Sequence, residues 1–273
     1  MENDSAAQPI RVRRYGTAGS FVVLLHGGPG APGYMAPIAR QLADAFRVLE
    51  PFQRGSGLEP LTVARHVADL HEVVQSHCGG SRPAVIGHSW GAMLALACAA
   101  AHPDSVRSLV LIGCGTFDAV ARERLRATRR ERMGENLLRR EARLCQEYPD
   151  ADERLKAVGR LYQLIDSFDL ISYEDETAAC DARAHEETWS DMLRLQDEGV
   201  YPASFAAVGV PVLMLHGSED PHPVQMIRAG LAPHLPQLEY HEWGRCGHYP
   251  WLEKAAHESF YRVLSGWLSV HSA

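Results

Sequence analysis

No run of apolar residues in the chain is long enough to cross a bilayer. The longest, Ala92 to Ala101, has ten residues against the ~20 that a span requires. Cysteine is sparse and unpatterned: Cys78, Cys98, Cys114, Cys145, Cys180 and Cys246 form no CxxC pair and no zinc spacing, and so read as free thiols of a reducing compartment. The opening MENDSAAQPI lacks both a basic stretch and an apolar stretch, so no signal peptide is expected, and the expected location is cytoplasmic. Positive charge is not in excess either. The net charge of −7 favours solubility and argues against a nucleic-acid footprint. What remains is ordinary globular composition, with 46% hydrophobic and 22% charged residues, which excludes a disordered chain. At 273 residues it holds one domain with an insertion, or two domains. A monomer or homodimer acting on a small-molecule substrate is expected, with no nucleic-acid or membrane partner.

Short β-branched, apolar runs recur along the chain, each followed by helix-like sequence. Strands are expected at Phe21–Leu25, Phe46–Leu49, Ala84–Ile86, Ser108–Ile112, Val210–Leu215 and Leu238–Trp243, with a weaker one at Ile10–Tyr15. Several are continuously apolar, which suits strands of a parallel sheet buried on both faces. Helical patterns fall at Tyr34–Ala43, Val63–His77, Trp90–Ala101, Val224–Leu231 and Ala255–Leu268. The alternation predicts an α/β fold with a doubly wound, mostly parallel sheet. From Asp118 to Tyr201 it stops. Leu155, Val158, Leu161 and Ile165 share one helical face, and Trp189, Met192 and Gln196 another. Residues 118–201 therefore read as a helical insertion, and residues 1–117 and 202–273 as the core it interrupts.

Gly87-His88-Ser89-Trp90-Gly91 fits G-x-S-x-G, with the apolar AVI before it and the helix-forming AMLALACAA after it. A strand, a sharp turn and a helix form the setting in which a serine is held as a nucleophile, with small residues two positions to either side. That setting predicts Ser89 as nucleophile and turns His88 toward the fold. The strand FVVLL runs into His26-Gly27-Gly28-Pro29-Gly30, whose glycines allow backbone N–H groups to approach a reacting carbonyl. Gly28 and Trp90 are the expected oxyanion donors, and His26 is a candidate for substrate contact. HGGPG has neither the spacing nor the lysine of a phosphate-binding loop.

A serine needs a base, and the base a third group to orient it. After VPVLML comes His216-Gly217-Ser218-Glu219-Asp220-Pro221, and after LEYHEW comes Gly244-Arg245-Cys246-Gly247-His248. Both follow strands, where open α/β sheets place their chemistry, and Ser, Asp, His is the chain order this architecture uses. Asp220 and His248 are thus the expected acid and base. Glu219 and Asp118 are rivals for the acid, and His222 is a candidate pocket residue. No cofactor and no metal site is expected.

Taken together, HGGPG (26–30), QRGSG (53–57), GHSWG (87–91), HGSEDP (216–221) and CGH (246–248) resemble the α/β-hydrolase superfamily, and within it the proline iminopeptidase-like branch. The resemblance implies Ser89, Asp220 and His248 as a triad, Gly28 and Trp90 as oxyanion donors, and a helical cap in the insertion. The chain departs from that branch at three places. Phe52 stands where an acidic residue usually precedes QRG, and His88 replaces the second glycine of the elbow. The cap text nearest to the branch's amine-gripping Trp-Glu pair is His185-Glu186-Glu187-Thr188-Trp189.

Two charge clusters mark the insertion. The arginines at 122, 124, 126, 129, 130, 132, 139, 140 and 143, interleaved with glutamates, read as a solvated helix laced with i,i+4 pairs. The second cluster is acidic and contains Glu174, Glu176, Glu186 and Glu187. If these carboxylates face Ser89, they favour a cationic substrate such as a macrolide-type lactone. The expected function is a serine hydrolase of carboxylic esters or lactones. The alternatives are an iminopeptidase-like aminopeptidase and a non-catalytic ligand-binding homologue.

Overall fold

The structure is a computed structural model that describes residues 9–271. Residues 1–8, which make up most of the segment behind the expectation of no signal peptide, lie outside it. Seven strands form one sheet in the order β1-β3-β2-β4-β5-β6-β7. They are β1 (Val12–Tyr15), β2 (Phe21–Leu25), β3 (Arg47–Pro51), β4 (Ala84–His88), β5 (Ser108–Ile112), β6 (Val212–Gly217) and β7 (Leu238–Trp243). Only β1 runs antiparallel to its neighbour; every other pairing is parallel. The all-apolar runs occupy the middle. β4, β5 and β6 are buried at every position, whereas edge strand β7 alternates Leu-Glu-Tyr-His-Glu-Trp with one side wet.

Helices cover both faces, which puts apolar side chains of successive strand residues into two separate cores. On one side α2 (Val63–His77), α3 (Trp90–Ala101) and α7 (Val224–Leu231) pack over Val23, Leu25, Val85 and Leu111. On the other, α1 (Ala36–Leu42) and α8 (His257–His271) pack over Val22, Leu24, Ile86 and Val110. Helix α3 is buried from Trp90 through Ala99, so its sequence is apolar all round instead of striped.

Between β5 and β6 the chain builds three helices: α4 (Ala119–Glu147), α5 (Ala151–Asp166) and α6 (Ala182–Asp197). Asp118, Asp150 and Asp181 cap them, each accepting from an N–H of the first turn. Asp118 is thereby committed to Ala121 N at 2.8 Å and does not serve as an acid for a histidine. Leu161 and Ile165 pack with Met133 and Leu144 of α4 in a small core of their own. Among the described residues, no helix is long and apolar enough to cross a membrane.

Candidate active site

β4 ends at His88, and the chain reverses into α3 within one residue. Ser89 takes φ +55° and ψ −117°, a conformation that a side-chain-bearing residue holds only when its surroundings enforce it. Here the Ser89 amide is tied to Ile112 O of β5 at 2.9 Å. The flanking glycines have no room for a side chain. A Cβ on Gly87 would lie 2.1 Å from Gly91 O, and one on Gly91 would lie 2.3 Å from Leu25 O. The elbow thus depends on both glycines and on the strand before HGGPG.

Asp220 and His248 come together as the strand-end reading requires, with His248 Nδ1 2.6 Å from Asp220 Oδ2. Asp220 is more heavily solvated by protein than the triad reading alone implies. His222 donates from Nδ1 at 2.7 Å and from its backbone N–H at 2.9 Å to the other carboxylate oxygen. His216 Nε2 lies 3.1 Å from Asp220 Oδ2. Burial pushes the Asp220 carboxyl up, but its electrostatic interactions with the imidazoles of His248, His222 and His216 and the His222 hydrogen bond outweigh it and hold the group well below the usual carboxylate range. The rival Glu219 instead takes a hydrogen bond from Ser218. The His248 loop is clamped from outside the sheet. His248 N donates to Asp166 O at the end of α5 (2.8 Å), and the fully buried Glu253 accepts from Gly247 N, Phe168 N and Asp169 N at 3.0, 2.8 and 2.7 Å.

Ser89, His248, Gly28 and Trp90 line a cavity of about 410 Å³, together with His222 and residues of α4, α5 and α6. The Trp90 amide opens α3, where N–H groups have no intrahelical acceptor, and Gly28 sits at φ +54° in the HGGPG loop. These are the two candidate oxyanion donors. His26 does not reach the cavity as expected. It is fully buried under the loop, with Nε2 accepting from Gln53 N at 3.1 Å and Nδ1 3.1 Å from Gly27 O. Burial lowers its imidazole to about 4, which keeps it neutral. With Nε2 an acceptor, Nδ1 carries the proton and holds the Gly27 carbonyl; across the trans peptide, the Gly28 N–H faces the opposite way. Gln53 also reaches the second donor's residue. Its side chain gives Nε2–H to His26 O (2.7 Å) and accepts Trp90 Nε1–H (2.7 Å). The QRGSG motif by itself assigns Gln53 no task.

Three further residues, Tyr34, His88 and His185, make contacts at the site that the sequence pattern does not assign. The Tyr34 hydroxyl accepts Gly27 N–H at 2.6 Å and bonds His88 Nδ1 at 2.7 Å, while His88 Nε2 lies 3.0 Å from His248 O. Burial holds the His88 imidazole well below its usual range, so a neutral ring links the oxyanion loop to the base loop. His185 of α6 bonds Pro29 O and Gly28 O from the other side, at 2.8 and 3.1 Å.

The acidic cluster does not form a negative wall over Ser89. Glu186 is exposed and Glu187 accepts from Leu61 N (2.8 Å) and Arg183 (2.6 Å); neither lines the cavity. Glu174 and Glu176 do line it, but Glu176 is held by Arg40, as Asp175 beside it is by Arg160. Arg122, Arg126, Arg129, Lys156 and Arg160 line the same cavity. Glu176 and Glu187 thus tie the insertion to Arg40 and the Leu61 N–H, and the cavity wall carries cations as well as carboxylates, so the arrangement does not single out a cationic substrate. Among the described residues there is one metal-capable grouping that linear spacing did not reveal. Ligand atoms of Asp220, His222 and His248 lie within 4.8 Å of one another.

Comparison with known proteins agrees with this architecture. Residues 22–260 match the family described as "Alpha/beta hydrolase family". The chain is 31% identical over 211 residues to a proline iminopeptidase of Neisseria gonorrhoeae, a match covering 71% of this chain and 62% of that protein. Among solved structures, a thermophilic esterase from Thermogutta terrifontis superposes with a TM-score of 0.63 at 21% identity, covering 97% of this chain and 94% of the other. A proline iminopeptidase from Mycobacterium smegmatis gives 0.62 at 20%, covering 96% and 94%. Both structural likenesses speak to fold alone.

Proposed function

Because the chain belongs to the alpha/beta hydrolase family, we propose that it is a serine hydrolase of carboxylic esters or lactones, acting through an acyl-enzyme intermediate. The observation that carries this reading is the strained Ser89 opening onto the same cavity as an Asp220-bound His248. Asp220 fixes the His248 proton on Nδ1, so Nε2 is the free acceptor. It takes the Ser89 proton as Oγ attacks the carbonyl carbon, and Asp220 stabilises the imidazolium that forms. The carbonyl oxygen becomes an oxyanion held by the Gly28 and Trp90 N–H groups. Collapse expels the alkoxide, which takes the proton back from His248. Water then repeats the sequence and frees the acid and Ser89.

In this reading, residues 118–201 act as a cap that shapes the substrate cavity. Carboxylate-nucleophile chemistries on this fold are disfavoured by a serine at the elbow. An iminopeptidase activity is the second reading, favoured by the gonococcal relative, of which the match spans 62%. It calls for a clamp on a peptide's amine, and the carboxylates nearest that role, Glu186 and Glu187, lie off the cavity. Esters also demand less, because an alkoxide leaves without prior protonation of a nitrogen. The test is a panel of p-nitrophenyl esters, macrolactones and proline arylamides. Ester or lactone turnover is expected to lead, and Ser89→Ala to lower kcat by ~10⁴-fold or more with the fold intact. Proline arylamides as the best substrates would favour the second reading. More than a few per cent residual activity in Ser89→Ala would refute the nucleophile.

A further inference from the structure

Asp220 holds two imidazoles, and the proposed mechanism uses one. His222 binds Asp220 Oδ1 through Nδ1, 2.7 Å away, as His248 binds Oδ2. The two rings stack with centroids 4.3 Å apart and planes 15° from parallel. His222 is fixed at three further points. Its backbone N–H reaches Asp220 Oδ1, its carbonyl is 3.2 Å from His216 Nε2, and prolines stand on either side. With Nδ1–H given to the carboxylate, in the same tautomer that the mechanism assigns to His248, Nε2 is a hydrogen-bond acceptor. It has no partner among the described residues, and the side chain lines the cavity.

Position gives that acceptor a task. His248 must reach both Ser89 Oγ and the oxygen of the leaving group, since it carries the proton from one to the other. A ring stacked against His248 and lining the same cavity therefore sits beside the path of that proton, where the leaving group is. We propose that His222 reads a hydrogen-bond donor, a hydroxyl or N–H, on the leaving group of the substrate. The substrate class narrows to esters of hydroxylated or amine-bearing alcohols, or lactones carrying such a group near the ring oxygen. This rests on the serine hydrolase reading, with His248 as base.

The test compares butanoate esters in matched pairs: hydroxyethyl against propyl, hydroxypropyl against butyl, and hydroxybutyl against pentyl. Acyl group and heavy-atom count are constant within a pair, so the ratio of kcat/KM isolates the donor. In wild type at least one hydroxylated ester is expected to be favoured by about 3- to 10-fold, the range of one neutral hydrogen bond. His222→Phe keeps a ring against His248 and removes the acceptor; His222→Leu provides a second variant. Both are expected to bring the ratio near one, whatever they do to the absolute rate. A flat ratio in wild type, or a preference that survives both variants, overturns the role of His222 while Ser89-dependent turnover stands. If no butanoate is turned over in a Ser89-dependent way, the esterase reading falls and takes this inference with it.

Discussion

Glu253→Gln should loosen the loop that carries His248, the proposed base, and the structure sets the size of the effect. One Glu253 oxygen accepts Gly247 N–H and Phe168 N–H, and the other accepts Asp169 N–H. The side chain has no exposure to water, so none of these donors can turn to solvent instead. A glutamine can present its oxygen to Gly247 and Phe168, but its amide then points a donor at the Asp169 N–H. One hydrogen bond to a charged acceptor, worth about 1.5–3 kcal/mol, is lost, and the remaining two are weakened. The expected destabilisation is about 2–4 kcal/mol, read as a lower denaturation midpoint with unchanged slope. Because Gly247 adjoins His248, and Asp166 O holds the His248 N–H, kcat should fall by more than KM rises. Glu253→Asp, too short to span all three donors, should be worse than Gln. A loss below ~1 kcal/mol in Glu253→Gln, with normal kcat, would refute the clamp.

Gly87→Ala should cost more than ~3 kcal/mol or abolish folding, since its Cβ would fall 2.1 Å from Gly91 O; a soluble variant with wild-type melting would contradict this. Burial holds the His26 and His66 imidazoles at about 4, below the usual 6.5, so the unfolded chain gains protons first as pH falls. Their contribution is complete above 6.5 and is lost toward 4, about 2 kcal/mol each by pH 5; a flat stability profile from pH 7.5 to 5 would refute it. EDTA should leave activity unchanged, a serine-directed organophosphonate should abolish it, and added Zn²⁺ should inhibit by capturing His248 with His222 and Asp220. Activation by Zn²⁺ would sink the metal-free mechanism.

Much of the fold was legible because its signals are local. Val63–His77, Trp90–Ala101, Val224–Leu231, Phe21–Leu25, Ser108–Ile112 and Leu238–Trp243 form as their patterns predict. Boundaries moved where hydrogen bonding, not hydropathy, sets the end. The strand expected at Phe46–Leu49 runs Arg47–Pro51 because its pairing with β1 extends through Pro51. The helix expected from Tyr34 starts at Ala36, which leaves the Tyr34 ring to turn inward. The helix expected at Ala255–Leu268 spans His257–His271, after a 3₁₀ turn at Pro250–Leu252 that the periodicity did not show.

The site was legible only where a residue type implies its own chemistry. Ser89, Asp220 and His248 announce themselves through glycine-flanked or strand-end settings. Gln53, Tyr34, His88 and Glu253 do not, because each acts on a partner far along the chain: His26, His88, His248 and Phe168. The acidic cluster shows the reverse error. In one dimension Glu176 and Glu187 look like a field awaiting a cation, yet the donors that satisfy them, Arg40 and Leu61 N–H, are more than 120 residues earlier. A buried or half-buried carboxylate is stable only with donors, so the fold finds them before a substrate arrives. The same rule makes His222 informative. Its Nδ1 and backbone are satisfied by protein, Nε2 has no partner among the described residues, and the residue lines the cavity. A fixed ring with an unpartnered acceptor at the cavity wall is what a donor on the proposed substrate would need.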